Sequence, residues 1–163
     1  MSSGIIVVRH DFPVIELAPA TGRFDQTVEE MIAGMPNNNP DITSAHFPEC
    51  RGAKAGQEDI RLFLAKPLLE RQHLPTEDVL RRLDEAGFVP EGLPRLAPLK
   101  DHADELWGAG VYYVAALGPD AVWWRSDGGY AVYLILNPED RGFHLHWLGG
   151  DLGGHLWFLV RRK

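Results

Sequence analysis

Cysteine is nearly absent: Cys50 is the only one in 163 residues. An intramolecular disulfide and a cysteine-based zinc cluster are therefore both excluded, and a reducing compartment is the expectation. Long apolar runs are missing as well. Residues 5–8 make one short strand, and no segment approaches the roughly 20 apolar residues needed to span a bilayer. Met1-Ser2-Ser3-Gly4 lacks the basic stretch, apolar run and cleavage pattern of a secretory signal, so a cytoplasmic location with no membrane partner is expected. Dense positive charge is also lacking. With 16 basic and 23 acidic side chains the net charge is −7. Gripping a polyanion needs clustered Lys and Arg, so duplex nucleic acid is not an expected partner. Gly-x-Ser-x-Gly and the phosphate-cradling G-x-x-x-x-G-K-[ST] are both absent, and Cys50 lies in a polar loop context with no identifiable histidine partner.

What is present is ordinary globular composition, 45% hydrophobic and 24% charged, enough for residues 1–163 to form a single domain. Its character changes near Trp107. All five Trp, all four Tyr and ten of the seventeen Gly lie between there and Lys163. Residues 1–106 hold 18 acidic and 11 basic side chains, whereas 107–163 hold five of each. The first segment, about 1–106, reads as conventional α/β. The second, about 107–163, reads as an aromatic, glycine-punctuated β segment.

In the first segment, residues 5–8 are β-branched and predict a strand. Thr27-Val28-Glu29-Glu30 has the capping-box pattern and predicts a short helix ending near Gly34-Met35-Pro36, with a loop over 36–40. Residues 59–64 place Ile60, Leu62 and Leu64 against Asp59, Arg61 and Phe63, the alternation of a half-buried strand. The clearest helix starts at Thr76, carries Val79, Leu80 and Leu83 on one face, and stops at Gly87. Pro90, Pro94 and Pro98 then break the chain before a helical turn over 101–106. The second segment predicts strands over 111–117, 121–125, 130–136, 143–147 and 156–160, with Asp127-Gly128-Gly129 as a hairpin connection. The fold class expected is α+β, with helices mainly before residue 107 and a small antiparallel sheet after it.

Three constellations can carry chemistry. Arg9-His10 at a strand end is similar to the histidine phosphatases, in which a histidine takes up a phosphoryl group. Asp11 stands in place of their glycine and would repel phosphate, so His10 is read as a strand-end surface residue. His144-Leu145-His146 places two imidazoles on one face of a strand. With Asp151 and His155 they form a potential zinc- or iron-type set, and the alternative is that they simply face solvent between Phe143, Leu145 and Trp147. The third is the aromatic surplus. Adjacent Trp123 and Trp124 must face opposite sides of any strand, so at least one is exposed or lies beneath a loop. Exposed Trp and Tyr beside Arg125, His144 and His155 are the amphipathic anchors of binding surfaces, whereas buried ones simply fill a small β core.

The ending resembles a group of uncharacterised bacterial proteins whose C-termini read approximately "ALG-x-W … GG … R-x-L-x-L-x-W … D-W … RFLAVRK". Ala116-Leu117-Gly118, Gly128-Gly129, Arg141, Leu145, Trp147, Asp151, Phe158, Leu159, Arg162 and Lys163 carry that likeness. Leu152 stands in place of the second Trp and Trp157 in place of the Arg before Phe158. The Gly/Asp/Trp-rich stretch before Phe158-Leu159-Val160-Arg161 also resembles the close of bacterial C-type-lectin-like folds. That resemblance implies a core last strand, ligand contacts at Gly142, His144, His146, Gly149, Gly153 and His155, and scaffold roles for Trp147 and Phe158.

The leading expectation is a non-enzymatic recognition module with no cofactor. It would bind a protein or a small polar ligand through Trp124, Arg125, Tyr130, Tyr133, His144, His146 and His155. One alternative is a small metal-dependent hydrolase, with zinc on His144, His146, Asp151 and His155. The other is an assembly subunit that packs its aromatics against its own copy, as a homo-oligomer, or against a larger complex.

Overall fold

The computed structural model describes residues 6–9, 12–17, 26–50 and 61–163. It is a mixed α+β fold built on one large sheet with helices on both faces. The first strands, β1 (Ile6–Arg9) and β2 (Pro13–Glu16), pair antiparallel. His10 lies outside the described residues. Helix α1 (Val28–Ile32) begins with the expected capping box: Thr27 Oγ1 accepts from the Glu30 N–H, and the Glu30 carboxylate accepts from the Thr27 N–H. Hydrogen bonds from the Thr27 backbone and side chain to the carboxylate hold the Glu30 carboxyl below its usual pKa. Strand β3 (Leu62–Ala65) follows, then β4 (His73–Pro75) and α2 (Thr76–Glu85). Gly87 has φ +86°, the left-handed conformation that ends a helix.

Strand β5 (Phe88–Pro90) leads into α3 (Leu93–Leu96), a 3₁₀ turn (Ala97–His102) and α4 (Ala103–Gly108). Of the three prolines expected to break the chain here, Pro90 ends β5 and the other two start helical turns. Pro94 and Pro98 occupy first-turn positions, where the missing N–H has no intrahelical partner to lose. The remaining strands are β6 (Tyr113–Ala115), β7 (Val122–Arg125), β8 (Gly128–Ile135), β9 (Gly142–Trp147), β10 (Asp151–Gly153) and β11 (Leu156–Arg162).

The sheet is larger than the small C-terminal one expected, because strands from both segments share it. On one side β11 is antiparallel to β3, which continues through β2 to β1. On its other side β11 is parallel to β6 and then antiparallel to β5. Strand β8 is shared in the same way: β6 and then β7 run along one side of it, and β9 along the other. A separate two-stranded sheet joins β4 and β10.

One face of the large sheet packs Leu64, Val114, Val132, Leu134, Phe143 and Leu159 beneath Met31, Leu93, Leu96 and Leu106. The other packs Phe63, Ala115, Ala131, Phe158 and Val160 beneath Val79 and Leu83 of α2 and Leu152 of β10. Covering both faces explains β3: every residue in it is buried, including Phe63, which was expected on the solvent side. Cys50, expected in a polar loop, is wholly buried, and its thiol donates to the Asp120 carbonyl at 3.0 Å. Among the described residues no helix is long and apolar enough to cross a membrane.

Candidate functional site

Strand alternation sorts the seven expected site residues onto two faces. In β8, Val132 and Leu134 point into the helix-covered core, so Tyr130 lies on that side and Tyr133 on the other. The aromatic and histidine residues therefore form two patches rather than the single face expected.

The first patch grows from register. Tyr133 is opposite His144, and Ala131 is opposite His146, so both imidazoles flank the Tyr133 ring. Their centroids lie 6.2 Å and 5.5 Å from it. Tyr113 of β6 stands 6.2 Å from Tyr133 and 5.2 Å edge-on to His155. His155 occupies the turn between β10 and β11. His73 of β4 pairs with Gly153, where a Cβ would lie 2.9 Å from the His155 ring and 3.6 Å from the His73 ring. Four imidazoles and two phenols thus share one end of the sheet.

The electrostatics of this patch are unusual for an acidic chain. Among the described residues the one histidine–carboxylate pair is His102 with Glu105, elsewhere in the fold. Partial burial, then His146, His73 and Lys66, hold His155 below its usual pKa, so it is neutral at neutral pH. Burial, reinforced by Tyr113, raises the Tyr133 hydroxyl and keeps it an O–H donor. His144 Nε2 is buried without a hydrogen-bond partner. A buried polar atom left unpaired costs about 1–3 kcal/mol.

The metal set does not assemble. Among the described residues, no group of three or more His, Cys, Asp or Glu side chains is placed to hold an ion. The Tyr133 ring beside both His144 and His146 explains this, and Asp151 is exposed at the start of β10, opposite Pro75.

The second patch contains Arg125 and Tyr130. Trp123 stacks on His46 at 3.9 Å and 14°, and the Arg125 guanidinium lies over Trp123 at 4.9 Å and Tyr130 at 5.7 Å. The Tyr130 hydroxyl donates to Asp127 at 2.6 Å, which raises its pKa. Trp124 points away from Trp123, as adjacency in a strand requires, and is 72% exposed.

Two residues of the resemblance-derived set take other roles. Trp147, implied as scaffold, is 48% exposed, held at the end of β9 by an Nε1–H bond to the Asp127 carbonyl. Gly142, implied as a contact, is buried, and a Cβ there would collide with the Asn37 carbonyl. Phe158 is buried in the core.

Tyr113, His73 and His46 were missed in the sequence. His73 and His46 reach their patches through pairings and loops distant in the chain, which leave no local pattern. Tyr113 was visible only as a strand residue. No family model, no curated protein and no solved structure matches this chain.

Proposed function

We propose that the chain is a non-enzymatic recognition module whose ligand face is the Tyr133, His144, His146 and His155 patch, extended by Tyr113 and His73. The ligand is a small polar molecule, or a polar segment of a protein, rich in hydrogen-bond acceptors. One observation carries this reading: four imidazoles and two phenols converge where, among the described residues, no carboxylate pairs with them. Imidazole and phenol donors on apolar rings are the chemistry of specific, adaptable contacts. The C-type-lectin-like reading of the ending belongs with it. The buried β11 and the His155 turn ahead of it support a core last strand preceded by contact-bearing residues.

The test is calorimetric titration with inorganic phosphate as the acceptor probe, followed through the imidazole resonances by NMR. Binding is expected to move the His144, His146 and His155 rings and to weaken at least tenfold in the His144→Ala/His146→Ala double variant. Equal binding by wild type and variant would sink the proposal. Stoichiometric zinc in the purified protein, lost in the same double variant, would replace it with the metal-dependent reading.

A further inference from the structure

The protonation chemistry of the histidine patch narrows what it can hold. His146 Nδ1 lies 3.0 Å from the Trp147 carbonyl, which can only accept, so Nδ1 carries the hydrogen. In the neutral ring Nε2 is then a lone pair, and only protonation turns it into a second donor. His155 is likewise neutral at neutral pH, held so first by partial burial and then by His146, His73 and Lys66.

The groups that face these two rings are neutral or cationic. Tyr113 of β6 meets His155 edge-on, and His73 of β4 lies beside the same Gly153. Tyr133 of β8 meets His146 edge-on. Lys66, which follows β3, adds a permanent positive charge; its ammonium lies 5.8 Å from the Trp157 ring and, among the described residues, joins no ion pair. Glu70 and Arg71 ahead of β4 and Asp151 at the start of β10 are exposed, and among the described residues neither acid pairs with the patch.

Donors reach this end of the sheet singly, from β4, β6, β8, β9 and the turn before β11, and not as a guanidinium fork. A planar carboxylate is matched by such a fork, whereas a tetrahedral oxyanion, with oxygens in several directions, is matched by separate donors. A phosphate monoester also carries about −1.5 to −2 charge at neutral pH, which draws protons onto neighbouring imidazoles. We infer that the ligand of this patch carries a phosphate monoester, and that seating it takes up protons onto His146 and His155. The inference rests on the recognition face proposed above and names the group that face recognises. Because the protonated rings bind the anion, affinity rises as pH falls toward the imidazole range.

The test is calorimetry with methyl phosphate, acetate and glycerol, each in two buffers of different ionisation enthalpy. Methyl phosphate is expected to bind with net uptake of about one proton, and about fivefold or more tightly at pH 6.5 than at pH 8.0. Acetate and glycerol should bind at least tenfold more weakly. Inorganic sulfate, a tetrahedral dianion that does not titrate in this range, should raise the NMR titration midpoints of His146 and His155 in the native protein. His146→Gln keeps a polar group that cannot take a charge, and should flatten the pH dependence. Were it to misfold, the native midpoints would still decide. Tighter binding of a phosphoserine peptide than of methyl phosphate would support the inference with the ester on a protein segment, and the reverse would support it with a small molecule. Equal binding of acetate or glycerol, no proton uptake, unmoved midpoints, or no binding of methyl phosphate would each overturn it. Where a probe binds and still depends on His144 and His146, those outcomes leave the recognition face standing; binding indifferent to the double substitution removes both readings.

Discussion

His155 shows how a single side chain couples its surroundings to pH. Partial burial, then the neighbouring His146, His73 and Lys66, lower its pKa in the folded state. Folding therefore favours the neutral ring. The stabilisation is present above the unfolded value, near 6.5, and is lost as pH falls from there through the folded value. Urea midpoints are expected to fall more between pH 7.5 and pH 5 for wild type than for His155→Gln; parallel profiles would contradict this. Glu91 carries a larger load. It is buried beside Arg95, which is 7% exposed, and its carboxylate also accepts from Arg161 at 3.0 Å. Burial raises its pKa, and the two arginines partly offset that. Glu91→Ala strips a carboxylate from a buried guanidinium and should cost about 3–5 kcal/mol in chemical denaturation, with Glu91→Gln less severe. The histidine pair of β9 was legible in the sequence because strand alternation is local. Glu91 was not, since its burial comes from tertiary packing and one of its two arginines, Arg161, lies seventy positions away.

At the scale of elements, local signals were read well wherever local chemistry decides. The Thr27 capping box and the Gly87 stop appear in the structure, and the expected hairpin forms with its turn at Ser126-Asp127, so that Gly128 and Gly129 fall in β8. Thr27→Ala should therefore cost about 1 kcal/mol, measurable as a lowered thermal midpoint. Reading failed where tertiary context decides. Pro94 and Pro98 look like breakers but begin helical turns, and β3 looks half-exposed but is buried on both faces. Gly142 is the sharpest case, because the approach of Asn37 leaves no room for a methyl group. Gly142→Ala is expected to destabilise by about 1–3 kcal/mol, within the range of overpacking, and to raise hydrogen exchange at Phe143. Unchanged exchange there would show that the Asn38 and Asn39 bonds to β9 tolerate the shift.

For the whole molecule, the compositional break near Trp107 does not mark a break in the sheet. Strand β11, from the aromatic segment, is flanked by β3 and β5 from the acidic one. Fragments 1–106 and 107–163 are accordingly expected to lack dispersed NMR spectra when expressed separately, each missing the neighbour that completes its core. A folded fragment 107–163 would show that β8, β9 and β6 suffice. This interleaving was invisible in the sequence, because composition records what residues are and not which strands they meet. The position of β11 also sets an order of events. Every strand it bonds, β3, β5 and β6, precedes it in the chain. As the polypeptide leaves the ribosome, those three wait with unpaired flanks until β11 emerges, so the nascent chain passes through a sticky interval in which a holdase would find its natural client.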